Sequence, residues 1–255
     1  MTDSFKGKVA LVTGAGRGIG RATAVGLAAG GAAVALVARS VDELAETADL
    51  VRQQGGSALV VPADLGDDEQ LDRATGRVRD EFGAVDILVN NAGVVWPLEP
   101  TATVDPATWA VAMKINVVAP VTLTIAFLPG MIDRGWGRVV NVSTGIVANP
   151  TGMIGGNAYI TTKSALEAHT VNLARELEGT GVTANVYRPG MVDTAMPGWI
   201  RAQAPERVGA ALHQRFVRSH AEGMLITPEH SAGSLLARLA ADDRTGQIWD
   251  VSDTA

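Results

Sequence analysis

Short, Val-rich apolar runs recur along this chain, each separated from the next by a longer stretch of helical periodicity. The runs are Val9–Thr13, Ala33–Ala38, Ala58–Pro62, Ile87–Asn90, Arg138–Val142 and Thr183–Tyr187, with Ile248–Val251 as a last candidate. They are apolar at successive positions, as strands buried on both faces are. Between them lie the helical candidates Gly18–Ala29, Val41–Gln54, Asp67–Phe82, Pro106–Arg134, Ala158–Gly179 and Pro228–Ala241. Alternation repeated this often predicts an α/β fold with one parallel sheet and helices on both of its faces. No composition shift or polar linker divides residues 1–255, so a single domain is expected. Met191 to Ile226 breaks the alternation and is read as irregular. Ligands in such sheets sit beyond the carboxyl ends of the strands, which makes 191–226 a candidate substrate-binding lid.

The first strand runs into Thr13-Gly14-Ala15-Gly16-Arg17-Gly18-Ile19-Gly20 and then a helical pattern. Glycines here permit a tight turn and close backbone approach, while the helix N-terminus offers unpaired N–H groups to a pyrophosphate. Three glycines alone are a weak signal. The strand before them and the helix and second strand after them make the fold Rossmann-like and doubly wound, with a dinucleotide site. The second strand ends Ala38-Arg39-Ser40, where an NAD site usually places an acid for the ribose 2′-hydroxyl. An acid would repel a 2′-phosphate, whereas guanidinium binds one. Arg39, helped by Arg17, therefore favours NADP, with NAD as the alternative. Asp42 and Glu43 stand close enough in sequence to weaken that field.

Tyr159 and Lys163 lie four residues apart in a helical segment and so share a face. An adjacent ammonium lowers a phenol's pKa, and a tyrosine poised in this way can pass a proton to or from a substrate oxygen. The bland alternative is a packed tyrosine beside a solvated lysine.

With these residues in hand, the chain resembles the short-chain dehydrogenase/reductase family, in its single-domain branch of about 250 residues. The motifs run in order: Thr13-Gly14-x-x-x-Gly18-x-Gly20, Asp64-Leu65, Asn90-Asn91-Ala92-Gly93, Asn116, Asn141-Val142-Ser143-Thr144, Tyr159-x-x-x-Lys163, and Asn185-x-x-x-Pro189-Gly190-x-Val192-x-Thr194. The resemblance implies that Tyr159 is the general acid of reduction and that Lys163 lowers its pKa and holds the nicotinamide ribose. It implies that Asn116 kinks its helix and supports a water linking Lys163 to solvent. Gly14, Gly16, Arg17, Gly18, Ile19, Gly20, Arg39, Ser40, Asp64, Leu65, Asn91, Ala92 and Gly93 would contact the cofactor, and Pro189, Gly190, Val192 and Thr194 would border its nicotinamide. It further implies a homo-oligomer, dimer or tetramer, formed by the long helices. The chain departs from the pattern where the third catalytic hydroxyl usually is Ser. Register puts Thr144 there, with Ser143 as runner-up, because successive residues of an extended segment point opposite ways. The interval from Thr144 to Tyr159 is also longer than usual, and the Asp-Gly-Gly familiar after the last strand is missing.

The expected function is transfer of hydride between NADP and a carbonyl or alcohol. Val94, Val95, Trp96, Ile146, Val147, Met153, Met191, Met196 and Trp199 suggest a hydrophobic small-molecule substrate. A nucleotide-sensing or scaffold protein of the same fold is the alternative, and its mark would be loss of Tyr or Lys. Zero Cys removes disulfides and thiolate chemistry, and the four His show no ligand spacing, so no metal is expected. A net charge of −6 without basic runs argues against nucleic acid and anionic membrane surfaces. Ile115–Ile132, interrupted by Asn116, Pro120 and Pro129, is read as a buried core helix and not a membrane span. With no secretory pattern at the start, a cytoplasmic location is the expectation.

Overall fold

The computed structural model describes residues 3–253; the first two and last two residues of the expected domain lie outside the described residues. Seven strands, β1 Val9–Thr13, β2 Ala33–Ala38, β3 Ala58–Pro62, β4 Ile87–Asn90, β5 Gly137–Val142, β6 Val182–Arg188 and β7 Ile248–Asp250, form one parallel sheet. Its order is β3-β2-β1-β4-β5-β6-β7. The reversal between β1 and β4 opens a crevice at the carboxyl ends, as expected of a doubly wound sheet.

The period of two along each strand feeds two cores. Val12, Leu36, Val89 and Val140 face one layer, where α1 (Gly18–Ala29), α2 (Val41–Gln53) and α10 (Pro228–Ala241) bring Leu27, Leu44 and Leu235. Leu11, Val37, Leu88 and Val139 face the other. There α3 (Asp68–Phe82), α5 (Ala119–Asp133) and α6 (Asn157–Glu176) contribute Leu71, Phe127 and Leu173. Helix starts are set by short polar side chains. Ser40, Asp67, Asp105 and Thr227 each accept an N–H of the following first turn, and Pro106 and Pro228 take the first helical position. Asp67 is thus a cap and not the first helical residue.

Three expectations need correction. Pro106–Arg134 is not one helix: α4 (Pro106–Met113) and α5 are joined by a π turn, Lys114–Val118. The cause lies at Asn116, whose buried amide turns out of the helix to bond the Val94 backbone. Nor is this run wholly a core helix. Leu123, Phe127 and Met131 are buried, but Val111, Val118, Ile125 and Ile132, seven apart, are exposed, Ile125 at 68%. By length and composition Pro106–Asp133 could cross a membrane, and it is the one such run among the described residues. Finally, 191–226 is not irregular. It holds α7 (Ala195–Arg201), α8 (Pro205–Val208) and α9 (Ala210–Ala221), framed by a parallel bridge between Val192 and Ile226. Pro197 lies in the first turn of α7, Pro205 opens α8 and Gly209 parts α8 from α9, so α7 and α8 are too short to show a period.

Candidate active site

A cavity of about 680 Å³ runs along the carboxyl ends of the strands, from the β1–α1 turn to the start of α7. At one end lies the glycine turn. Gly14 adopts φ +65°, and a Cβ on Gly20 would overlap the Gly14 carbonyl, so α1 starts as close to β1 as backbone allows. Asn91 locks this turn from the neighbouring strand: its Nδ2 donates to the Thr13 carbonyl at 2.9 Å, and the Asn91 and Ala92 N–H groups donate to the Thr13 hydroxyl at 3.0 Å. Gly14, Gly16, Arg17, Gly18, Ile19, Asn91, Ala92 and Gly93 line the cavity, whereas Gly20 lies behind it.

Ala38, Arg39, Ser40 and Glu43 form the wall beyond β2, and Asp64 and Leu65 the wall beyond β3. Ser40 is spent as the cap of α2. Arg17 reaches Glu43 at 3.1 Å, both partly exposed. Asp64 does not cap α3. Its carboxylate accepts the Gly66 N–H at 2.8 Å, which turns the chain and leaves the residue facing the cavity. Ala63 and Ile115 also line it and carry no sequence signal beyond their place beside Asp64 and Asn116.

The other end is built from α6. Tyr159 and Lys163 are buried, on one face, and both line the cavity. Lys163 Nζ donates to the Val142 carbonyl at 2.7 Å and stands over Gly93, where any Cβ would come within 3.2 Å of it. Burial lowers its pKa to about 8, against the opposing charge of Glu167. Burial pushes Tyr159 up to about 12, while a hydrogen bond with Thr144 pulls the other way. The expected depression of Tyr159 is therefore not found in this arrangement: desolvation of the phenol outweighs its neighbours. Asn116 is fully occupied nearby. Its Oδ1 accepts from Val94 N–H at 2.8 Å, and its Nδ2 donates to the Val94 carbonyl at 2.8 Å and to Thr162 Oγ1 at 3.0 Å.

The two candidate hydroxyls part company. Ser143, at the cavity wall, donates to the Glu167 carboxylate at 2.6 Å, whereas Thr144 is not among the lining residues and its hydroxyl accepts the Ile146 N–H at 3.4 Å. Of the loop after β6, Pro189 and Thr194 line the cavity. Gly190 turns with φ +78°, and Val192 is buried in the bridge to Ile226. Thr194 lies against Gly18, so this loop closes onto the glycine turn. Val94, Val95, Trp96, Met196 and Trp199 face the cavity; Met153 and Ile146 do not line it but pack with Val95, Tyr159, Ile200 and Leu212 in the apolar cluster that backs this wall. Val147 and Met191 are not among the lining residues.

Comparison with known proteins bears on this arrangement. The family described as short chain dehydrogenase matches residues 8–205. Among curated relatives, the short-chain reductase protein NovJ of Streptomyces niveus is 34% identical over 248 residues, 95% of this chain and 92% of that protein. Some relatives are longer: the match spans 62% of a Pseudocercospora fijiensis short chain dehydrogenase at 38% identity, and 75% of this chain. Among solved structures, L-sorbose reductase from Gluconobacter frateurii, complexed with NADPH and L-sorbose, superimposes with a TM-score of 0.84 at 31% identity, covering 98% of this chain and 97% of that one. An NAD+-bound xylitol dehydrogenase gives 0.84 at 29%, covering 96% and 98%.

Proposed function

Because the chain belongs to the short-chain dehydrogenase/reductase family, oxidoreductases of alcohol and carbonyl groups, we propose that it reduces a hydrophobic ketone or aldehyde, or oxidises the corresponding alcohol, with NADP preferred over NAD. The observation that carries this reading is the buried Tyr159, which shares its helix face with Lys163 and lines, with it, a cavity whose wall here is Val94, Val95, Trp96, Met196 and Trp199.

The cradle suits a dinucleotide. Gly14 and Gly20 let the start of α1 pack against β1 and Asn91, the α1 N-terminus offers N–H groups to a pyrophosphate, and Asp64 and Leu65 would flank an adenine. Arg39 and Arg17 supply positive charge for a 2′-phosphate, and no acid stands at Ala38. Lys163, Asn91, Ala92, Gly93, Pro189 and Thr194 would hold the nicotinamide half. When bound, the nicotinamide supplies the hydride for reduction and accepts it in oxidation.

In reduction, Thr144 donates a hydrogen bond to the substrate oxygen and Tyr159 gives that oxygen its proton as the carbon is reduced. Lys163 balances the phenolate left behind. In oxidation the same phenolate takes the alcohol proton. Asn116 holds the Gly93–Val94 turn against Lys163; a water relay there remains part of the reading. Val94, Val95, Trp96, Met196 and Trp199 select an apolar substrate, with 191–226 closing over it as a lid.

NADPH oxidation, followed at the reduced-nicotinamide absorbance against a panel of ketones and aldehydes, tests the reading. Turnover with NADPH that exceeds NADH and falls about 100-fold or more in Tyr159→Phe, with NADPH binding kept, is expected. Full turnover by Tyr159→Phe would sink the proposed mechanism. Binding without turnover of any substrate would favour a sensor.

A further inference from the structure

One buried cluster is used by none of these steps. Glu167 lies one turn beyond Lys163 on the same face of α6, with its side chain 9% exposed. Arg188, the last residue of β6, grips it with two hydrogen bonds, Nε to Oε1 at 2.9 Å and an Nη to Oε2 at 2.7 Å. Ser143, just past β5, adds a third at 2.6 Å to Oε1. A buried carboxylate costs several kcal/mol to desolvate, and three charge-assisted donors are what such a group needs. The cluster sits between two pieces of the site. Ser143 follows Val142, whose carbonyl receives Lys163, and precedes Thr144. Arg188 precedes Pro189, which lines the cavity.

We infer that Glu167, clamped by Arg188, is a positioning residue for this reaction: it anchors Ser143, and with it the end of β5 that carries Thr144, and sets a negative charge one helical turn from Lys163. The inference rests on the Tyr159 mechanism above. Charges facing the carboxylate are Lys163 from its own helix and Arg188 from β6; Asp250 of β7 acts on Arg188 from behind. Ser143 is the neutral donor from β5. The sign does not depend on which member of the pair titrates. Loss of one proton makes the pair less positive, and a neighbouring carboxylate opposes that loss whether it comes from phenol or ammonium. Lys163, already low from burial, is held up by this carboxylate.

The test is the pH profile of kcat/KM for carbonyl reduction in the intact enzyme. Glu167→Gln keeps the shape and removes the charge, and should move the alkaline limb about one pH unit toward acid. Arg188→Lys keeps the charge and should leave the limb in place. Ser143→Ala should lower kcat several-fold with the NADPH KM and the limb unchanged, and Ser143→Thr should restore it. Superimposable limbs for Glu167→Gln and wild type overturn the inference, whatever happens to Tm. Should Glu167→Gln not fold, an undiminished kcat in Ser143→Ala overturns it instead. Activity that survives Tyr159→Phe would show that the underlying mechanism, and not this residue, had failed.

Discussion

Arg17 and Glu43 close an ion pair of 3.1 Å on the wall of the cavity that Arg39 also lines. The pair is exposed, so its effect on folding is small, and its consequence falls on the cofactor. A 2′-phosphate would have to share Arg17 with this carboxylate. Arg39→Ala is expected to raise the NADPH KM about tenfold while NADH changes within about twofold, and Glu43→Gln to lower the NADPH KM about threefold. Equal effects on the two cofactors would show that neither residue reads the phosphate. Initial rates at fixed substrate settle the comparison.

The proposed mechanism assigns the substrate-binding hydroxyl to Thr144, since the Ser143 hydroxyl is engaged by Glu167. Thr144→Ala should cut kcat about 100-fold, and Thr144→Ser should stay within a few-fold of wild type. Ser143→Ala must be the milder of the two alanine variants. The reverse ranking, measured as kcat under saturating NADPH, would place the hydroxyl at Ser143.

Lys163 ties stability to pH. Its folded pKa is about 8 against an ordinary 10.5, so between these values the unfolded chain binds more protons than the folded one. Stability from this group therefore rises as pH climbs through 8 toward 10.5, and the burial penalty is greatest below 8. Tyr159 runs the other way in a higher window: its folded value near 12 exceeds the ordinary 10, so its contribution is lost as pH rises from 10 to 12. Lys163→Met should melt several degrees above wild type near neutrality, with the gap closing by pH 10. A gap independent of pH would remove Lys163 from this account.

Val111, Val118, Ile125 and Ile132 make an exposed apolar stripe along α4, the π turn and α5, and Val171 on α6 is exposed too. If the homo-oligomer forms through these helices, Ile125→Glu should shift the species seen by light scattering toward monomer. Unchanged mass would place the interface elsewhere.

The sheet was legible because both sets of strand positions are apolar and because Ser40, Asp105 and Thr227 announce their helices locally. Most boundaries consequently agree within two residues. The helices of 191–226 were not legible: Pro197, Pro205 and Gly209 break the segment before a helical period can be seen. At the site, Tyr159 and Lys163 stood out through their spacing, and Arg39 through its strand-end position. Glu167 and Arg188 did not, since a Glu on a polar helix and an Arg at a strand end look solvated until the fold brings them together, 21 residues apart in sequence. The π turn at Asn116 belongs to the same class, because its cause is the Val94 backbone 22 residues away.

The bridge between Val192 and Ile226 has a further consequence. Asp193 N–H and Ile226 N–H bond back across it, so the chain leaves the sheet region and returns to it at a single stitched point. Everything between is a closed excursion that no strand of the sheet runs through. Its side chains nevertheless reach back: Ile200, Val208 and Leu212 pack with Tyr159 on α6, and Thr194 lies against Gly18, so a change within the excursion is felt at both ends of the cavity.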